Sequence, residues 1–334
     1  MDPLFFPVIC IAGYRGRMNI KIYISPCDRD SNLFTIFVVY LGFFCMPTEK
    51  TIFRCYANLF STSKFLQLLV ENDYSYALAK YRKYGVDDPT IHTLGEFYRY
   101  AYRKLLKEYR NEYIYKNSII NKLLLAKYSL NTTTILNEFK IGRSIADLVL
   151  LNGTSKVFEI KTELDSLYRL ENQIADYKKA FEHIYIVTYA DLVEKLSKEI
   201  DDKVGIITLT DKGALHTIRD AQKDISRLDS SVIIKSLRKQ EYTNVLQNYF
   251  GEIPQTTPVK YFSICREKFR EIPVCALHDL VVTELKKRSI REKVLFKSNT
   301  IVPPEFKYLF WNLDFKAEYY DRFESVLNIQ LESI

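Results

Sequence analysis

Two apolar runs, SIADLVLL at 144–151 and KVFEI at 156–160, flank the turn signal Asn152-Gly153. Short apolar runs around such a dipeptide specify a β-hairpin. Each run carries an acid where a buried strand should be apolar: Asp147 in the first, Glu159 in the second, with Lys161 two residues further on. A charge inside a buried strand costs several kcal/mol unless it is paired or holds a metal. Two carboxylates and an ammonium on one hairpin therefore mark a site.

Strand parity sets a condition on this. Glu159 and Lys161 lie two apart and share a face. A two-residue turn at Gly153-Thr154 would pair Asp147 with Ile160 and put Glu159 on the other face. A three- or five-residue loop pairs Asp147 with Glu159 and brings the charges together. The site therefore requires an odd loop or a bulge near Asn152-Gly153.

An acid two residues before a lysine occurs seven times in the chain, so the tripeptide alone selects nothing. Context selects Glu159: it ends a hydrophobic strand, with an acid-bearing strand upstream and a helical stretch downstream. In that stretch Asp165, Arg169, Gln173 and Tyr177 recur every four residues and lie along one helix face, beside an apolar face of Leu167, Leu170, Ile174 and Phe181.

Over residues 117–210 the pattern resembles the PD-(D/E)xK nuclease superfamily, with Asp147 as the first acid and Glu159-Ile160-Lys161 as the second element. Ala146 stands where the naming proline would be. Gln173 and Tyr177 resemble the QxxxY element of the recombination-exonuclease branch, and Glu138 matches an acid that many members carry just upstream. The resemblance implies an α/β fold with a restriction-endonuclease-like αβββαβ core sheet flanked by helices. It implies Asp147, Glu159 and the Ile160 carbonyl as ligands of Mg²⁺ or Mn²⁺, with Glu138 completing a second metal position or holding a metal-bound water. Lys161 would orient the attacking water and offset phosphate charge. Arg169, Gln173 and Tyr177 would position the substrate backbone.

The rest of the chain frames this core. The 334 residues are enough for two or three domains, and 47% hydrophobic with 27% charged content is the balance of a soluble globular protein. A net charge of +7 suits a polyanionic partner. The six cysteines form no CxxC pair, and the four histidines are scattered, so neither a zinc site nor a Ser-His-Asp or Cys-His arrangement can be built from spacing. No Gly-rich phosphate loop is present, so no nucleotide cofactor is expected.

Residues 1–45 read as an extension from an over-long gene start or as disordered, with a membrane anchor as rival. Their fourteen-residue apolar run at 33–46 is short for a bilayer span. Residues 46–116 read as helical, with a break at Asp87-Asp88-Pro89 and an apolar stripe Phe97, Ala101, Leu105, Tyr109. A basic stripe, Arg99, Arg103, Lys107 and Arg110, contacts phosphates or is simply a solvated face. Residues 117–220 form the nuclease core, led in by a helix at 119–130. Strands follow at 183–190 and 203–209, with a helix at 192–200 between them and an edge strand at 214–219. Residues 221–334 read as helical, with helices at 232–250 and 275–293, a basic run from Lys286 to Arg291, and an aromatic tail that packs onto the body.

The function expected is a cytoplasmic metal-dependent nuclease acting on DNA, in phage defence or repair. An RNA-directed nuclease or toxin, or a non-catalytic nucleic-acid binder on the same fold, is the alternative. Nucleic acid is the expected partner, DNA ahead of RNA; homo-oligomerisation stays open.

Overall fold

The computed structural model describes residues 48–84 and 90–331, and the backbone of two further strands. Those strands, β1 (Ile22–Pro26) and β2 (Phe34–Val38), pair antiparallel within a first compact unit, residues 1–51. Otherwise the expectations for residues 1–45, and the break at Asp87-Asp88-Pro89, lie outside the described residues.

The second unit, residues 52–334, is a mixed α/β structure built on one six-stranded sheet. Helices α1 (Glu49–Leu59, which begins just before the unit boundary), α2 (Thr62–Leu69), α3 (Ser75–Lys83) and α4 (Leu94–Glu108) come first. Thr93 opens α4 with a capping box to Glu96, and Phe97, Ala101 and Leu105 form its buried stripe; Tyr109, expected to continue the stripe, is the half-buried C-cap beyond the helix.

The lead-in helix departs from the 119–130 reading. It starts earlier, as α5 (Glu112–Ile119), passes through a π turn at Ile120–Leu124 and ends with α6 (Leu125–Lys127). The Asn121 side chain donates to the Asn117 carbonyl at 2.9 Å, inside the turn where the ladder widens. Periodicity at 100° per residue does not register such a widening. Helix α5 is buried on every side from Tyr113 to Ile119, so no polar face marks its start.

The sheet order is β3 (Thr134–Ile141), β4 (Ser144–Leu151), β5 (Ser155–Ile160), β6 (His183–Thr188), β7 (Gly205–Leu209) and β8 (Leu215–Arg219). Strands β3–β4–β5 are antiparallel, β5–β6–β7 parallel, and β8 returns antiparallel at the edge. Helix α7 (Leu170–Tyr177) lies between β5 and β6, and α8 (Val193–Glu199) between β6 and β7.

Both faces of the sheet are covered, which is why its central strands are nearly continuous apolar runs. Leu148, Leu150, Phe158 and Ile160 join one core with α4, α5 and the C-terminal aromatics. Val149, Leu151 and Val157 join the other, with α7 and the later helices. The alternation between the two cores is the period of two of the strand itself.

The C-terminal third contains α9 (Ser230–Ser236), α10 (Lys239–Phe250), α11 (Pro258–Glu271), α12 (Val274–Leu285), α13 (Lys293–Lys297), α14 (Lys307–Leu313) and α15 (Ala317–Leu327). The single helix read over 232–250 is two, because Arg238 takes an extended backbone and its N–H is capped by Glu241 at 2.7 Å. The helix read over 275–293 stops at Leu285, where Arg288 turns back to Glu241. Helix α11 fills the stretch between those two, and Thr257-Pro258 is its helix-start signal. The aromatic tail packs as expected: Phe306, Phe310, Trp311 and Phe315 are all buried. Among the described residues no helix is long and apolar enough to cross a membrane.

Candidate active site

The β4–β5 connection has the odd length that the site requires. Leu151 pairs with Ser155 across a three-residue loop, and Gly153 sits in it at φ +67°. The register Leu148↔Phe158, continued by one step, sets Asp147 opposite Glu159. On the other side, Asn137↔Leu148 and Phe139↔Ala146 bracket Glu138 opposite Asp147. The three acids thus stand in one row across β3, β4 and β5.

Asp147 is half-buried, and its Oδ2 accepts the Ile160 N–H at 2.7 Å. A strand residue points its N–H and C=O to the same neighbour. The Ile160 carbonyl is therefore aimed toward Asp147 as well. Burial, and then the neighbouring Glu159, push the Asp147 carboxyl up to about 7. The Ile160 hydrogen bond and Lys116 only partly oppose that rise.

Glu159 is 2% exposed, and both its carboxylate oxygens accept from protein donors. Lys161 Nζ donates to its Oε1 at 2.7 Å, Gln173 Nε2 to the same oxygen at 2.6 Å, and Tyr177 OH to Oε2 at 2.6 Å. Lys161 also donates to Gln173 Oε1 at 3.0 Å, closing a ring of Glu159, Lys161 and Gln173. Gln173 and Tyr177 are four apart on α7, so one helix face serves one carboxylate. Tyr177 is also within 2.9 Å of the Ile145 carbonyl, which ties the helix to β4. Burial, then the Glu159 charge, hold its phenol far above the usual range.

Two of the expected substrate-positioning side chains turn inward, and a third residue leaves the helix. Tyr177 is fully buried, and its hydroxyl is turned to Glu159 and not to solvent. Gln173, half-buried, faces Glu159 and Lys161. Only Arg169, exposed at the cap of α7, keeps a geometry suited to substrate contact. Asp165 is not on the helix at all. It accepts from the Thr162 N–H at 2.9 Å and hydroxyl at 2.8 Å, closing a turn that delays α7 to Leu170.

Glu138 stands in the row but is not gathered with the other two acids. Its backbone is left-handed at φ +48°, costly for a residue with a Cβ, and its side chain is exposed, 3.5 Å from Lys116. Lys116 is buried and also pairs with Glu112 at 2.5 Å. This second ion group was missed; the spacing of four between Glu112 and Lys116 was its only sequence signal. Also missed was the exposed loop before α7, where Leu164 is 52% and Tyr168 90% exposed.

The expected basic stripe is largely consumed. Arg99 pairs with Glu305, Lys107 with Glu108, and Arg110 with both Glu163 and Asp211. In the later run, Lys287 pairs with Glu284, Arg288 with Glu241 and Arg291 with Asp314.

Among the described residues no three His, Cys, Asp or Glu side chains converge closely enough to hold a metal between them. The donor set at hand is Asp147, one remaining acceptor position on Glu159 and the Ile160 carbonyl. Such hard oxygen donors suit Mg²⁺, which commonly takes one or two carboxylates and keeps several waters. The raised Asp147 carboxyl fits that reading, since a carboxylate pair short of positive charge is relieved by a cation.

A family model described as "Bacteriophage P4 protein cII" matches residues 106–309, more than half of the chain. The chain belongs to the phage P4 cII family. The matched span contains β3 through α13 and with them every residue of the row. "Protein cII" of Enterobacteria phage P4 is 32% identical over 130 residues, covering 38% of this chain and 49% of the relative. The chain thus spans about half the length of that relative. Among solved structures, the SPO1766 protein of unknown function from Silicibacter pomeroyi matches at a TM-score of 0.27 and 14% identity. That match covers 40% of this chain and 86% of the other.

Proposed function

We propose that this member of the P4 cII family is a metal-dependent nuclease. It would hydrolyse phosphodiester bonds, in DNA ahead of RNA, on a restriction-endonuclease-like core. The observation that carries this reading is the register of Asp147 with Glu159, together with the ring of donors that Lys161, Gln173 and Tyr177 close around Glu159. A buried ion pair adds little stability compared with apolar packing. A buried carboxylate with three donors is better explained by a need to hold it in place.

Asp147, Glu159 and the Ile160 carbonyl would hold Mg²⁺ or Mn²⁺, which when bound would supply charge neutralisation and an activated water. Lys161 would place an ammonium beside the scissile phosphate. Gln173 and Tyr177 would fix the carboxylate rotamer, so that the geometry needs no rearrangement during reaction. Arg169 and Tyr168, both exposed at the start of α7, would meet the substrate, one at phosphate and one by stacking on a base. Phage defence or DNA repair is the setting proposed for that activity.

The test is incubation of purified protein with labelled single- and double-stranded DNA and RNA, in Mg²⁺, Mn²⁺ or EDTA, beside Asp147→Asn. Cleavage that needs metal and is lost in the variant supports the reading. A second reading, a non-catalytic nucleic-acid binder, is favoured by the engagement of both Glu159 oxygens with protein donors. Binding without cleavage under every metal condition would select it.

A further inference from the structure

A cavity of about 490 Å³ opens between α4, the π turn, the β7–β8 turn and the segment after α13. Lys122, Lys212 and Lys297 line it. All three are exposed, and among the described residues none has an ion-pair partner. That contrasts with Arg110, which is paired with both Glu163 and Asp211. Asp211, beside Lys212, is drawn off by Arg110 at 2.5 Å, so the cavity keeps an uncompensated positive charge.

The cavity wall is organised. Tyr102, Ser118 and Asn121 line it, and Asn117 Nδ2 donates to Tyr102 OH at 2.9 Å from behind. Asn121 belongs to the π turn, a departure from α-helix that recurs at functional positions. Gly213 sits at φ +74° against Leu106, which holds the Lys212 turn close to α4.

Its place in the fold links it to the row. Strands β5, β6 and β7 are parallel, and ligands of such sheets bind outside the carboxyl ends of the strands. Lys161 follows the end of β5, and Lys212 follows the end of β7. Arg110 joins the two ends: it pairs with Glu163, two residues past Lys161, and with Asp211, and donates to the Leu209 carbonyl at 3.4 Å.

We propose that this lysine-lined cavity binds the sugar–phosphate backbone of a single-stranded segment of the nucleic acid that the carboxylate row acts on. This inference rests on the nuclease reading. The volume lies within the range of about 300–1,000 Å³ that holds small ligands. It accommodates a nucleotide unit of a single strand, not a duplex. Free ammonium groups on flexible stems suit phosphates, whose attraction is electrostatic and indifferent to sequence.

The experiment measures fluorescence anisotropy of labelled single- and double-stranded DNA and RNA oligonucleotides across a salt series. Asp147→Asn serves as background so that nothing is cut. To it are added Lys122→Gln, Lys212→Gln and Lys297→Gln together. A control carries Lys195→Gln, Lys198→Gln and Lys260→Gln, three exposed lysines with the same total charge. The expected result is at least roughly a tenfold loss of single-strand affinity and a salt slope reduced by about 2–3 in the cavity triple only. The DNA and RNA arms identify which backbone is taken. Equal affinity and slope in the two triples overturns the cavity while leaving the nuclease reading intact. Absence of nucleic-acid binding by the parent protein overturns both. All six lysines are exposed, so the folding of each triple is checked by its melting curve alone.

Discussion

Tyr177 and Glu159, eighteen residues apart, meet through a 2.6 Å hydrogen bond buried beneath α7. The phenol can donate its one proton to the carboxylate or to the Ile145 carbonyl, not to both. The charged oxygen is the stronger acceptor.

Tyr177→Phe is therefore expected to lower unfolding free energy by about 1.5–3 kcal/mol, the range for hydrogen bonds to charged groups. Turnover should fall with it, because Glu159 loses its only hydrogen bond to Oε2 among the described residues. Urea denaturation and single-turnover cleavage measure the two effects. A variant as stable and as active as the parent would refute the positioning role.

Gln173→Ala opens the ring but spares the Lys161–Glu159 contact at 2.7 Å. Stability should change by less than about 1 kcal/mol, since a half-buried amide is lost without stranding the ion pair. Turnover should drop at least tenfold, because displacement of a reacting group by about 1 Å costs on the order of a hundredfold. Full activity in this variant would remove Gln173 from the site.

Asp147 sets a pH dependence. Its folded-state carboxyl is raised to about 7 from 3.8, chiefly by burial and then by Glu159. The folded protein thus holds a proton that the unfolded chain has released. This contribution to stability is fully present below about pH 4 and is lost as pH rises through about 7. Metal-free protein should lose up to a few kcal/mol between pH 5 and 8 from this group, and Asp147→Asn should flatten that trend.

The same proton opposes metal binding, because a ligating carboxylate must be ionised. The rise in melting temperature caused by Mn²⁺ should therefore be larger at pH 8 than at pH 6, and absent in Asp147→Asn. An equal rise at both pH values, or one that survives the substitution, would place the metal elsewhere.

Gly142 opens the two-residue turn between β3 and β4, at φ +58°, where an added Cβ would lie 2.8 Å from the Asp176 carboxylate. Asp176 in turn accepts from the Arg143 N–H at 3.0 Å and the Ser144 hydroxyl at 2.9 Å. Gly142→Ala should cost at least about 1–2 kcal/mol, from left-handed backbone strain alone. Chemical denaturation would measure it. A neutral result would mean that the turn has another conformation.

The spacing of residues by itself determined the hairpin and the condition for Asp147, Glu159 and Lys161 to meet, an odd loop, which the Leu151–Ser155 pairing meets. Those relations are local: a period of two, an odd loop and a glycine able to take positive φ decide them within twenty residues. It also determined the strand and helix succession from β5 to β8, because each element there has its own apolar period. Only the tertiary structure decided where the charges go. Arg99 finds Glu305 and Arg288 finds Glu241, partners far away in the chain, so runs that look like open basic surface are mostly neutralised. Tyr177 shows the same limit. Its spacing from Gln173 was plain, but whether its hydroxyl faced solvent or a buried carboxylate depended on how α7 lies against β4 and β5. That placement is set by the apolar packing of Leu170 and Ile174, which carries no mark of the polar contact it creates.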